Sequence, residues 1–325
     1  MLGPKARRFV GPAAFRDVVL VEDPSERPEA VLFAPAPSDT LARLARGLNG
    51  RFPARTVVAP DLDAGTAGHP AVHENLDLLR EDGCRIVESR EVGLAPAGDV
   101  VAGLLGSLGG RMSGLRLLVT AGGTREPIDS VRFIGNRSSG KMGLAVAREA
   151  VRLGADVTVV AANVAGAEPG TRQQAVETVE ELQEAVLDLA ADADALVMAA
   201  AVSDFTPASR SREKIRRSAG TTSLELAPTT DILEAVRERY PDLFVVGFAA
   251  THGDPVADAR EKLARKGTDL VVGNDISKEG VGFGAAENEV YIVGREKERF
   301  VPRASKEEVA RVILESLMAE IDEER

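Results

Sequence analysis

From Leu115 onward, short runs of Val, Leu, Ile and Ala alternate with longer stretches whose apolar residues recur at helical spacing. That alternation constrains the fold more than any other feature of the chain. LRLLVTAGG (115–123) reads as a buried strand ending in glycines, and KMGLAVAREAVRLGA (141–155) as a helix closed by Gly154. DVTVVAANV (156–164) reads as a strand, VETVEELQEAVLDLAADA (176–193) as an amphipathic helix, and ALVMAAAVSDF (195–205) as a third strand running into a loop. LFVVGFAA (243–250) and TDLVVGNDIS (268–277) repeat the pattern around the helix ADAREKLARKG (257–267). ENEVYIVGREKERFVPRAS (287–305) differs: two short strands around a Gly-Arg turn predict an antiparallel hairpin at the sheet edge, before a last helix from Lys306 to about Glu323. The expected class is therefore α/β, with a Rossmann-like, mostly parallel sheet carrying an antiparallel edge hairpin.

Before Leu115, the strand-like runs EAVLFAPAP (29–37), RTVVAPDL (55–62) and GCRIVESR (83–90), with helical stretches between, predict a smaller α/β unit over 1–105. GSLGGRMSG (106–114) is rich in Gly and Ser and has little to bury, so it reads as the linker to a second domain over 115–325. Two domains also suit the length: 325 residues exceed the usual single-domain size of roughly 100 to 200. With 4% aromatic residues and no Trp, both cores must be built from small aliphatic side chains, as parallel strands between helices are.

The charge of -11 gives no support for a nucleic-acid partner or an anionic membrane surface, both of which favour a basic patch. A single cysteine, Cys84, excludes an intramolecular disulfide and a multi-cysteine zinc site and suits a reducing compartment. No stretch reaches signal-peptide character or the roughly 20 apolar residues of a membrane span, so the cytoplasm is the expected location.

The residues with evident chemistry begin at TAGGTREPIDSVRFIGNRSSGKMG (120–143). A strand, glycines and then a helix suit phosphate, because unpaired N–H groups at a helix N-terminus favour anions. The spacing is neither GxGxxG nor GxxxxGK[ST]. Ser138, Ser139, Gly140 and Lys141 could face a triphosphate, with Arg125 and Arg132 adding charge; an isolated loop of this kind could equally just turn the chain.

This stretch closely resembles the signature of phosphopantothenoylcysteine synthetase, the ligase half of the bacterial bifunctional coenzyme A biosynthesis flavoprotein. AAAVSDF (199–205), EKIRR (213–217), APTTDIL (227–233), VVGFAA (245–250), NDIS (274–277) and GFGAAENEV (282–290) resemble its later blocks in order, so the resemblance covers about 114–320. It implies a phosphopantothenate-cysteine ligase. In that reaction the carboxylate of 4′-phosphopantothenate attacks the α-phosphate of CTP with Mg²⁺ present, pyrophosphate leaves, and the cysteine amine displaces CMP from the acyl-cytidylate. A homodimer is implied as well.

By the same resemblance, Asn136 matches an essential Asn that could hold the acyl carbonyl, Arg132 an arginine that could orient substrate phosphate or carboxylate, and Lys214 the first lysine of a Lys-x-Lys-Lys flap. That flap here reads Lys214, Ile215, Arg216, Arg217, which keeps the charge without the compact ammonium. Asp204 matches an acid whose carboxylate could accept from the cytosine amine. Ala200 and Ala201 match small residues beside the nucleotide, and Phe248 an aromatic near the base. Gly122, Gly123, Ser138, Ser139, Gly140, Lys141, Asn274 and Asp275 complete the expected nucleotide site, the last two closing a strand at the carboxyl edge of the sheet. Without the resemblance, each has a plainer reading: turn residue, cap, core or solvated charge. Thr251 and His252 replace the Glu and Thr usual after GFAA.

ARRFVGPAAF (6–15), LFAPAPSDTLARLARGLNG (32–50), VVAPDL (57–62) and HPAVHENLDLLREDGCRIV (69–87) resemble, in order, parts of the flavin-dependent decarboxylase that usually precedes this ligase. The chain starts after the expected first strand and flavin-phosphate loop. LVEDPSERP (20–28) has no histidine where the catalytic one belongs. Pro60, Asp61, Leu62 and Asp63 stand for Pro-Ala-Met-Asn, and the reactive cysteine is missing around Pro96 to Gly98. The first domain is thus expected to be a truncated, degenerate flavoprotein-like unit without FMN, with Cys84 a buried structural thiol. Two other readings remain open from the residues: a non-catalytic nucleotide-binding or regulatory relic, and an NAD(P)-dependent reductase. The latter calls for a compact GxGxxG turn, which is absent.

Overall fold

The computed structural model describes residues 31–47, 56–89, 92–107, 109–166, 168–216, 223–278, 282 and 284–324. The described residues fall into two compact units divided between Gly114 and Leu115, with Val151–Ala155 grouped with the first. Among them no helix is long and apolar enough to cross a membrane. The stretches expected at 6–15 and 20–28, and Arg217, lie outside the described residues.

In the first unit, β1 (Val31–Ala36), β2 (Thr56–Leu62) and β3 (Arg85–Ile86) form a parallel sheet, and β4 (Gly93–Leu94) pairs antiparallel with the end of β2. Successive strand residues face opposite sides. Val58 accordingly packs with Leu41 of α1 (Ser38–Gly47) and with Leu76 and Leu79 of α2 (Pro70–Glu81), while Val57 packs with Leu104 of α3 (Ala97–Ser107). Cys84 joins the first of these clusters. Helix α3 runs on through Gly106 and Ser107, so the first two residues read as linker belong to it.

The second unit is an eight-stranded sheet. In chain order its strands are β5 (Arg116–Gly122), β8 (Asp156–Ala162), β9 (Arg172–Val176), β10 (Ala195–Met198), β13 (Phe244–Thr251), β14 (Leu270–Asp275), β15 (Glu287–Val293) and β16 (Glu298–Ser305). Between these run two short antiparallel ribbons: β6 (Arg125–Pro127) with β7 (Phe133–Gly135), and β11 (Phe205–Pro207) with β12 (Leu226–Pro228). Across the sheet the order is β9-β8-β5-β10-β13-β14-β15-β16. The first six are parallel and follow the Rossmann sequence 3-2-1-4-5-6; the last two form the expected antiparallel hairpin. Helices α4 (Lys141–Arg152), α5 (Val179–Ala190), α6 (Ile232–Arg239), α7 (Pro255–Lys266) and α8 (Lys306–Glu324) cover it. Leu118, Val160, Leu196 and Val245 of the strands meet Leu182 and Val186 of α5 and Val236 of α6 in one core.

Two elements differ from the sequence reading. Strand β10 ends at Met198, because Ala200 donates instead to the Thr120 hydroxyl at 3.0 Å and Ala201 to the carbonyl of Gly122 at 2.8 Å. Strand β9 has no apolar run: RQQAV is an edge strand whose side chains, Val176 apart, meet water.

Candidate active site

The order reverses between β5 and β10, and a crevice at the carboxyl ends of the strands is where such sheets bind ligands. Gly122 ends β5 at φ +94°, and a Cβ there would lie 1.9 Å from the Ala162 carbonyl. That glycine serves the close approach of β8. Gly123 donates to the same carbonyl at 3.0 Å, and Thr124 to Ala201 at 3.2 Å, so the chain after β5 is stitched to its neighbours. Gly122 and Gly123 stand behind the chamber walls rather than among their lining residues: a Cβ on Gly123 would lie 3.2 Å from the Asn136 carbonyl and 3.3 Å from the Cβ of Ser138.

Two chambers open there. The larger, about 610 Å³, has Asn136, Asp204, Asp231, Lys262, Arg265 and Lys266 among its walls. A smaller one, about 130 Å³, is bounded by Ser138, Ser139, Gly140, Lys141, Asn274 and Lys306. Ala200, Ala201, Phe248 and Ala250 border both. The small side chains after β10 thus allow access from either side, and Phe248, partly buried on β13, stands between.

Asn136 follows ribbon β6–β7, and its amide donates to the carbonyl of Val202 at 2.8 Å. Asp204 is exposed at the cleft, and its backbone carbonyl accepts from Thr229 at 3.0 Å. Asp231 caps α6 by accepting from the Glu234 N–H at 3.2 Å and also pairs with Lys266, which reaches Glu234 at 2.6 Å. Against the cost of burial, these bonds hold the Asp231 carboxyl below the usual range. Lys262, partly buried, donates to the Phe248 carbonyl at 2.5 Å; burial pushes its ammonium below the usual lysine value, with Asp231 opposing.

Three expected residues stand elsewhere. Arg132 does not line either chamber: its guanidinium is held by the buried carboxylate of Asp129, with Nε at 2.9 Å, and donates to the carbonyl of Ile215 at 2.8 Å. An arginine so committed ties the 129–132 loop to the segment carrying Lys214. Lys214 is exposed and also away from the chamber walls. Asp275 turns its carboxylate to the Ser277 N–H at 2.9 Å and hydroxyl at 2.6 Å, which satisfies it in a local turn, while its neighbour Asn274 does reach the smaller chamber.

Lys262, Lys266, Lys306 and Asn288 escaped the sequence reading. Lys262 and Lys266 are four apart, a spacing that places them on one helix face. Lys306 opens α8, and Asn288 lies in the GFGAAENEV block; neither carries a local signal.

Comparison with known proteins agrees with this architecture. Residues 112–321 match the DNA/pantothenate metabolism flavoprotein C-terminal domain. The coenzyme A biosynthesis bifunctional protein CoaBC of Thermococcus kodakarensis is 36% identical over 315 residues, 90% of this chain and 77% of that protein. Its counterpart in Bacillus subtilis is 34% identical over 323 residues, 91% and 79% respectively. The crystal structure of the C-terminal domain of a coenzyme A biosynthesis bifunctional protein CoaBC matches with a TM-score of 0.56 and 33% identity, covering 65% of this chain and 98% of that one. With this strand order, this crevice and these degrees of identity, the chain belongs to the family of the coenzyme A biosynthesis bifunctional protein CoaBC.

Proposed function

We propose that the second unit is a phosphopantothenate-cysteine ligase acting in coenzyme A biosynthesis, with CTP as the activating nucleotide. The observation that carries this reading is the larger chamber, where an oriented amide, two carboxylates and four cationic side chains meet at the switch point of a sheet shared with the CoaBC C-terminal domain. Lys262, Arg265 and Lys266 suit the triphosphate; Asp204 suits the exocyclic amine of cytosine. An amide group has two N–H donors. Val202 holds one on Asn136 and orients it, and the second serves the acyl oxygen where charge develops. The substrate carboxylate attacks the α-phosphorus and expels pyrophosphate; the cysteine amine then attacks the acyl carbon, loses a proton and expels CMP.

Mg²⁺ would travel on triphosphate oxygens, as it does with one or two carboxylates in such sites.

For assembly, we propose a homodimer. Val131, Phe133, Phe205 and Leu226 are exposed on or beside the two ribbons, an apolar set suited to a second copy. The first unit serves structure rather than decarboxylation: Asp63, in the Pro60–Asp63 stretch, spends its carboxylate on the N–H groups of Gly65 at 3.0 Å and Thr66 at 2.9 Å.

The test is pyrophosphate release by purified protein given 4′-phosphopantothenate, cysteine, Mg²⁺ and each nucleoside triphosphate in turn. Release that requires CTP and 4′-phosphopantothenate, with the amide product found by mass spectrometry, is expected. No turnover with any nucleotide would sink the ligase reading.

A further inference from the structure

One buried carboxylate joins two segments that both run to the larger chamber. Residues 128–132 turn the ribbon β6–β7, after which Asn136 lines the chamber; residues 208–216 leave β11, before which Asp204 lines it too. Asp129, 3% exposed, accepts through Oδ1 from the N–H groups of Val131 and Arg132, each at 2.8 Å. Through Oδ2 it accepts from the Arg132 Nε at 2.9 Å and from the Ile215 N–H at 3.1 Å. Arg132 in turn donates to the Ile215 carbonyl at 2.8 Å, and Ser211 donates its N–H to the Ile128 carbonyl at 3.0 Å. The bonds within 129–132 form that turn by themselves; those to Ile215 and Ser211 are made to the other segment. The segment so held is basic. From 210 to 216 it carries four cations against one acid, Glu213, in a chain whose net charge is -11. Arg210, Arg212, Lys214 and Arg216 are exposed, whereas Ile215 is partly buried. An anchor at Ile215 fixes the backbone one residue from Lys214 and leaves the ammonium free. A segment held in this way has already lost the backbone freedom that a loose one would lose each time it met a ligand.

We infer that Asp129 is a positioning residue of the ligase reaction, acting through Ile215 to hold Lys214 in register with the ribbon that carries Asn136. Asp129 itself lines neither chamber, so its effect on the reaction passes through the groups it holds. The inference rests on the ligase reading, in which charge grows on the departing pyrophosphate and a cation kept nearby lowers the barrier. Holding that cation in place in advance belongs to the turnover step rather than to the binding of 4′-phosphopantothenate or cysteine.

A double-mutant cycle on Asp129→Asn and Lys214→Met decides this, read as pyrophosphate release. Asp129→Asn is expected to lower kcat about tenfold, Lys214→Met at least as much, and the double variant no further than Lys214→Met alone. KM for 4′-phosphopantothenate and for cysteine should stay in place, and Asp129→Glu, which keeps the charge, should recover part of the loss. Losses that multiply in the double variant would show that Asp129 acts apart from Lys214 and overturn the inference. So would an unchanged kcat in Asp129→Asn, or a loss that moves every KM together with the unfolding midpoint. If Asp129→Asn does not fold, Asp129→Ser, too short to reach Ile215, carries the same comparison. Absence of turnover in wild type would count against the ligase reading alone, because trypsin still decides the anchor. Cutting after Arg212, Lys214 and Arg216 in the native protein is expected to be about tenfold faster in Asp129→Asn than in wild type, and equal rates would overturn it.

Discussion

The ammonium of Lys262 on α7 donates to the carbonyl of Phe248 on β13 at 2.5 Å, fastening a helix to the strand that borders both chambers. Because burial depresses this ammonium, the unfolded chain binds more protons than the folded one between the folded value and the usual lysine range, and stability rises with pH across that window. Lys262→Met should remove this slope. Its unfolding free energy relative to wild type, from urea titrations, is expected to be most favourable below the folded value and to decline as pH approaches the usual lysine range; a pH-independent difference would contradict the assignment.

Asn136 is exposed and its side-chain amide donates to a backbone carbonyl, so that side chain has little to do with stability. Asn136→Ala is expected to lower amide product formation by about 10²-fold while leaving the unfolding midpoint in place. A loss that follows a lowered midpoint would point to folding instead.

Asp129 accepts from the Ile215 N–H at 3.1 Å while Arg132 donates to the Ile215 carbonyl, so both backbone polar groups of Ile215 are gripped by one ion pair. The Arg132 guanidinium holds the Asp129 carboxyl well below the usual carboxylate range. Its contribution is therefore present above that range and lost only as pH falls through the depressed value. Amide protection of Ile215 by hydrogen exchange should persist at pH 4 in wild type and disappear at pH 7 in Asp129→Ala; equal protection in both proteins would refute the tether.

Burial, with the charge of Asp82 beside it, pushes the Cys84 thiol up. Since this is the single cysteine of the chain, its labelling is unambiguous. A thiol reagent at pH 8 should modify native protein far more slowly than protein in denaturant. Equal rates would mean that Cys84 does not pack as described.

Gly122→Ala places a Cβ against the Ala162 carbonyl in a left-handed backbone. The expected loss exceeds about 1 kcal/mol by urea unfolding. A neutral outcome would show that β5 and β8 can separate there.

Period and composition settled much of this molecule. The cores of runs such as LFVVGFAA and TDLVVGNDIS, Phe244–Val246 and Leu270–Val272, are apolar without alternation because strands covered on both faces bury successive side chains, so the parallel sheet was legible. Where burial is one-sided the signal faded: RQQAV buries only Val176 in the core, and the three-residue ribbons are too short for a period. The resemblance of 120–143 to the ligase signature singled out Asn136 and Ser138–Lys141, which border the two chambers, without their geometry.

What the tertiary structure decided was which way each polar group faces. A glycine in a loop reads the same whether it admits a phosphate or a neighbouring strand, and only the Ala162 carbonyl assigns Gly122 to the strand. Arg132 reads as a free cation until Asp129 closes on it, and Asp275 as a ligand until Ser277 takes its carboxylate. Lys262 and Lys306 read as solvated lysines, since a helix repeat orders residues around its own axis and says nothing about what that axis is packed against. Burial and charge environment arise from contacts between residues distant in sequence, and in this chain those contacts place two ordinary lysines, partly or wholly buried, in the walls of the two chambers.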